Sequence, residues 1–224
     1  MRPALTVLTA VLLAVLPTAI APAAQAAQAA PAADTLPLAE AVAQLPVAAE
    51  DRTGYDREQS FGDWIDADRD GCNTRMEVLL EEAVVPPAVT GRCTLSGGRW
   101  YSWYDNTWID GPRGLDIDHL VPLAEAWDSG ASAWTKQRRI TYANYLDDSR
   151  HLEAVSARSN RQKADQDPTT WLVPDNPTER CHYLANWTAV KLQWGLTVDP
   201  AEQHTLTLGA AECPGTDVTV NPVP

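Results

Sequence analysis

No CxxC pair occurs in this sequence, and its four cysteines (72, 93, 181 and 213) stand far apart. Structural zinc sites usually draw ligands from close pairs, so disulfides are the better reading. Past Ala21 there is no apolar run long enough to span a bilayer. No internal repeat is visible, which excludes solenoids and propellers. Positive charge is scarce as well: 17 Lys and Arg stand against 30 Asp and Glu, a formal net charge of −13. Such a chain does not grip a polyanion with its whole surface, so any nucleic-acid contact must come from a local basic patch.

The N-terminus has the layout of a secretory signal peptide. Met1-Arg2 carries a positive charge, Ala4 to Ala21 is apolar with a break at Pro17, and Ala24-Gln25-Ala26 is a small-x-small cleavage site. Residues 1–26 are therefore expected to be removed on export, leaving an extracellular protein. Residues 27–48, mostly Ala, Pro and Gln, are expected to be a tether. Residues 49–215 suffice for one domain with its own core, and 216–224 are expected to be a tail. Four cysteines permit three pairings. The two short loops, Cys72–Cys93 and Cys181–Cys213, are favoured, each worth roughly 3 kcal/mol in a chain-entropy account.

Along the domain, Asp66, Asp68, Asp70, Gly71 and Glu77 match positions 1, 3, 5, 6 and 12 of a calcium-binding EF-hand loop. A bound Ca²⁺ is one reading. An acidic turn without metal is another, and delivery of Arg75 and Glu77 to an active cleft a third. The stretch from Arg92 to Trp108 suggests a hairpin turning at Gly97-Gly98. Leu115–Val121 should be a strand ended by Pro122, and Leu123–Tyr145 mainly helical with a break near Ser129-Gly130. His151–Val155 should be a short strand, with Ser156 capping a helix that carries Asn160. A helix from Thr178 to Trp194 should end on Gly195, and Pro200–Leu208 reads as a last helix tied back by Cys213.

The chemistry concentrates in two stretches. Asp118-His119 ends an apolar-alternating strand, and Asn160 lies just inside a basic stretch. Between Lys136 and Lys163 seven basic residues face three acidic ones. A carboxylate and an amide oxygen suit a hard cation, and an adjacent imidazole suits activation of water. Neighbours on a regular strand point to opposite faces, so both side chains can serve one site only where the strand ends.

In this order the residues resemble the HNH, or ββα-metal, nucleases. More closely, DIDHLVPLAEAWDSGASAW (116–134), HLEAVSARSNRQKADQDPTTWLVP (151–174), CHYLANWTAVKLQWGLTVD (181–199) and FGDWIDADRDGCNTRMEVL (61–79) look like the secreted actinobacterial HNH family endonucleases. That domain also occurs at the C-terminal end of a type IV modification-dependent restriction enzyme. The resemblance implies an α+β fold, with a ββα-metal core embedded in a larger, mainly helical single domain with disulfides. It implies Asp118 and Asn160 as ligands of Mg²⁺ (or Mn²⁺) and His119 as general base. His151 would stand at the middle motif position, orienting the loop or the base or donating to phosphate. Asp116 would lie behind the ligands, and Arg158, Arg161 and Lys163 would bind nucleic acid, DNA above all. The competing reading is a secreted, calcium-stabilised binding module with an inactive nuclease-like core.

Overall fold

The computed structural model describes residues 33–223, so the stretch expected to be a signal peptide lies outside the described residues. In chain order the elements are β1 (Asp34–Pro37), α1 (Leu38–Gln44), α2 (Arg57–Phe61), α3 (Thr74–Glu81), β2 (Ala88–Thr90), β3 (Thr94–Ser96), β4 (Arg99–Ser102) and β5 (Thr107–Asp110). They continue with β6 (Leu115–His119), α4 (Leu123–Asp128), α5 (Lys136–Ala143), β7 (Leu152–Ser156), α6 (Ala157–Lys163), α7 (Arg180–Trp194), α8 (Pro200–Glu212) and β8 (Asp217–Val220). The strands pair in twos, all antiparallel: β1 with β8, β2 with β3, β4 with β5, and β6 with β7. Helices and short sheets are intermixed, an α+β architecture.

Two apolar clusters hold these elements. The larger joins Leu38 and Val42 of α1 to Leu184, Trp187 and Val190 of α7 and Leu206 of α8. From Tyr183 to Trp194 nearly every residue of α7 is buried, as expected of a helix packed on several sides rather than along one stripe. Gly195 ends it at φ +68°, a left-handed position that costs glycine little. The smaller cluster joins Leu79, Trp100, Leu115, Ile117 and Leu152 around Cys72 and Cys93. Both disulfides, Cys72–Cys93 and Cys181–Cys213, are formed, and the second ties the start of α7 to the end of α8.

Two sequence expectations need correction. The hairpin does not fold across Gly97-Gly98, because β3 pairs with β2 and β4 turns on to β5 instead. The glycine pair redirects the chain, and a Cβ at Gly98 would come within 2.7 Å of the Trp100 ring, which is buried with its Nε1 donating to Leu79 O at 2.8 Å. The stretch 123–145 is helical with its break where expected, at left-handed Gly130 (φ +113°), and restarts at the Thr135 cap.

The segments expected to be tether and tail are, from Asp34 onward, part of the domain. β1 and β8 pair in the register Leu36↔Val218, and α1 buries Leu38, Ala41 and Val42. Of the three alanines of α1 only Ala41 is buried, so Leu38 and Val42 beside it anchor a segment whose Ala-rich composition looked like a linker. A chain beginning at residue 49 is therefore expected to lose its fold. Re-exposing the partners of four buried apolar side chains (Leu38, Ala41, Val42, Leu45) costs of the order of 5 kcal/mol, much of a domain's whole stability. Chemical denaturation of chains beginning at 33 and at 49 checks this, and equal midpoints would refute it.

Candidate active site

β6 and β7 run antiparallel with Asp118 opposite Glu153 and His119 opposite Leu152, and α6 begins where β7 ends. Ser156 caps that helix, its Oγ accepting from Ser159 N at 3.1 Å. Alternation along β6 sends Leu115 and Ile117 into the smaller core and turns Asp116 and Asp118 towards α6.

Asp118 is buried and fully engaged on its inner side. Lys163 Nζ lies 2.9 Å from both carboxylate oxygens, and Tyr104 OH donates to Oδ2 at 2.6 Å. Lys163 also donates to His119 O at 3.0 Å, so one ammonium fixes both residues of the Asp-His pair. Burial raises the Asp118 carboxyl above its ordinary range, while Lys163 and Tyr104 pull it down. One helical turn earlier, Asn160 Nδ2 donates to Asp116 Oδ2 at 3.2 Å, which leaves the amide Oδ1 without a protein partner among the described residues.

His119 ends the strand on the opposite face. Its Nε2 sits 2.9 Å from Ala143 O and its ring stacks flat on Trp64, with centroids 5.1 Å apart and planes 2° from parallel. A carbonyl only accepts, so Nε2 carries the proton. Burial holds the ring well below the usual histidine range, so it is neutral and Nδ1 keeps its lone pair. Nδ1 has no protein partner among the described residues.

His151 makes the matching contact one residue earlier, Nε2 to Tyr142 O at 2.7 Å. Two orphan carbonyls at the C-terminal end of α5 thus fix both imidazoles. His151 is 1% exposed and lies behind His119, with ring centroids 6.3 Å apart. The expected option of donating to a phosphate is therefore closed by burial. Burial also pushes its pKa down to about 4.

Asp118, His119, Asn160 and Arg161 line one cleft of about 550 Å³, together with Tyr55 and Arg57. A recess of about 100 Å³ on the other side of His119 is lined by Arg57, Trp64 and Ala143. The strand end thus lets neighbouring side chains from opposite faces reach one opening.

The basic stretch divides: Lys163, Arg139 and Arg150 are drawn inward, while Lys136, Arg138, Arg158 and Arg161 are exposed. Lys163, expected to meet nucleic acid, is 0% exposed and occupied by Asp118. Arg139 donates to Ser60, Ala131 and Trp134 carbonyls, and Arg150 pairs with Asp148. Arg158 and Arg161 remain exposed, paired with Asp175 and Asp116 respectively. At the acidic loop, the Asp66, Asp68 and Asp70 carboxylates approach within 4.8 Å, and Glu77 comes equally near Asp70. Loop amides of Gly71, Asp70 and Cys72 already donate to the three aspartates. Arg75 points to Leu115 O rather than into the cleft. Sequence reasoning missed the contacts of Tyr104 with Asp118 and of Trp64 with His119; the aromatic-rich blocks around 61–64 and 100–108 were the available signal.

The family described as GmrSD restriction endonucleases, C-terminal domain, matches residues 89–207, which take in β6, β7 and α6. The chain belongs to this family. A protein of Arthroderma benhamiae, described as an uncharacterized secreted protein, is 38% identical over 154 residues, covering 69% of this chain and 73% of its own length. No solved structure matches. Among the described residues no helix is long and apolar enough to cross a membrane.

Two outcomes are expected. As pH falls from 7 to 5, the unfolded chain protonates His151 near its ordinary value of about 6.5 while the folded chain resists until about 4, so this group withdraws about 2 kcal/mol of stability. Glu82, lifted by burial to about 7, acts with the opposite sign, so the measure is the difference between wild type and His151→Asn in urea midpoints at both pH values. An equal pH response in the two proteins would refute the assignment. Lys163→Met should cost about 3–5 kcal/mol by stranding a buried carboxylate, and adding Asp118→Asn should recover part of that loss. Additive losses would show that the pair is not coupled.

Proposed function

We propose that this chain is an exported endonuclease of the ββα-metal (HNH) type that hydrolyses phosphodiester bonds of DNA. The observation that carries the reading is His119: neutral, its Nε2 held by Ala143 O, its Nδ1 open, beside Asp118 in a cleft that Asn160 also lines. Family membership supports nucleic acid as the substrate class, and the relative described as secreted supports export.

The donor set suits a hard divalent cation. Asp118 Oδ1 keeps a lone pair beyond its bond to Lys163, and Asn160 Oδ1 has no protein partner among the described residues while Nδ2 is committed to Asp116. Asp118 and Asn160 would hold Mg²⁺ (or Mn²⁺), which when bound supplies Lewis-acid stabilisation of charge on the phosphate and leaving oxygen. The protein's part is proton handling and orientation. His119 Nδ1 takes a proton from a water whose oxygen forms the new bond to phosphorus. The bond to the 3′ oxygen breaks with its electron pair, and that oxygen takes a proton from solvent. The imidazolium then formed keeps its Ala143 bond, so the ring does not turn during the cycle. His151, on the neighbouring carbonyl, steadies the α5 end on which His119 leans.

Incubation of the purified protein with supercoiled plasmid and Mg²⁺ is expected to give nicked product that EDTA abolishes. His119→Ala should lower the rate at least 10²–10⁴-fold, the usual contribution of a general base. Undiminished nicking by His119→Ala would overturn the mechanism, and plasmid binding without any cleavage would favour the binding-module reading.

A further inference from the structure

The cleft lies in an acidic protein, and most basic groups near it are occupied. Lys163 is buried against Asp118, and Arg161 is held by Asp116 at 3.3 Å. Arg52 spans Asp128 and Asp165 at 2.6 and 2.7 Å. Arg57 differs. It makes no side-chain hydrogen bond and no ion pair among the described residues, although Glu58 follows it and Asp56 precedes it. Asp56 instead caps α2 through Gln59 N at 2.9 Å. With His119 and Leu123, Arg57 lines both the large cleft and the recess, so it stands at the border where the imidazole emerges.

Its support is firm. Phe61, four residues on, is fully buried, and Arg139 Nε donates to Ser60 O at 3.1 Å, anchoring α2 against α5. The positive charge of Arg57 also reaches His119, where it helps oppose protonation. A guanidinium that lines the cleft with a water-activating imidazole, its planar donors uncommitted, matches the paired non-bridging oxygens of a phosphodiester.

We infer that Arg57 is the phosphate-gripping residue of the cleft, supplied by a segment that precedes the matched residues 89–207 and stabilising negative charge on the non-bridging oxygens as water attacks. The inference rests on the nuclease reading of the same site. It makes Arg57 a substrate-contacting catalytic residue and explains how a protein of charge −13 presents a positive group to a phosphate.

The test uses Arg57→Ala, Arg57→Lys and, as a control that lines neither part of the cleft, Arg92→Ala. With a fluorescent duplex and Mg²⁺, Arg57→Ala should lose about 10²-fold or more in kcat/KM, most of it in kcat. Arg57→Lys should recover part of the loss, and Arg92→Ala should match wild type. Binding of the same duplex in EDTA across a salt series should show a slope shallower by about one for Arg57→Ala. Wild-type kcat/KM with an unchanged slope in Arg57→Ala would overturn the inference. So would equal losses in the Ala and Lys variants accompanied by a lowered melting temperature. Cleavage that survives His119→Ala would overturn the proposed mechanism alone. The salt-slope arm would then decide for Arg57, a shallower slope upholding phosphate contact and an unchanged slope refuting it.

Discussion

Lys163 reaches back from the last turn of α6 to end between the two oxygens of Asp118, with the carbonyl of His119 as its third partner. Neither charge would survive burial alone, since each loses its water and only the other, with Tyr104, replaces it. The pair therefore dictates how α6 docks on β6. Asn160 lies three residues before Lys163 and Asp116 two before Asp118, so a helical turn and a strand repeat run side by side as two rungs of one ladder. Fixing the inner rung sets the outer one, which presents the amide oxygen to the cleft.

The opposite face of β6 follows a different logic. Where Asp118 is held by charge, His119 is held by a carbonyl, a flat indole and exclusion of water. The C-terminal end of α5 supplies consecutive carbonyls to His119 and His151, so unsatisfied helix-end groups become the device that selects a tautomer. A second buried lysine steadies the next element. Lys191 of α7 lies 2.7 Å from both Glu125 of α4 and Glu202 of α8, and donates to Ser129 Oγ and Thr197 O. Since α4 starts just after the Asp-His pair, this cluster secures the outgoing chain as Lys163 secures the strand end.

Much of this was legible locally. The Ser156 cap, the Gly195 stop, the strand before Pro122 and the α7 span all rest on short-range signals, and the cysteine pairs were the two short loops. What escaped were relations between distant residues. β1 finds its partner in β8 at the other end of the chain, and α1 read as linker because its few anchors, Leu38, Ala41 and Val42, sit in an Ala-rich stretch. Gly97-Gly98 was a real turn signal attached to the wrong pair of strands, as turn chemistry fixes a change of direction but not the strand that is met next. At the site, a run of basic residues looked like a surface patch. Whether Lys163 or Arg139 faces water is decided by Asp118 and by backbone carbonyls that sequence spacing does not reveal.

Pairing of the charges nearest the cleft bears on the conflict between net charge and an anionic substrate. Around the cleft the charges cancel locally: Asp118 with Lys163, Asp116 with Arg161, and Asp165 with Arg52. Glu58 and Asp63 line the recess beside Arg57, and further acid is exposed on the loop at Asp66, Asp68 and Asp70. Surface charges more than a Debye length of about 8 Å away are largely screened at physiological salt, so the repulsion they exert on a phosphate at the cleft mouth is weak. What an approaching phosphate meets is then set by the groups that line the cleft, where Arg161 is paired with Asp116 and Arg57 has no carboxylate partner among the described residues. Specific pairing, rather than a broadly basic surface, is how this acidic fold can receive a polyanion at one place and not at others.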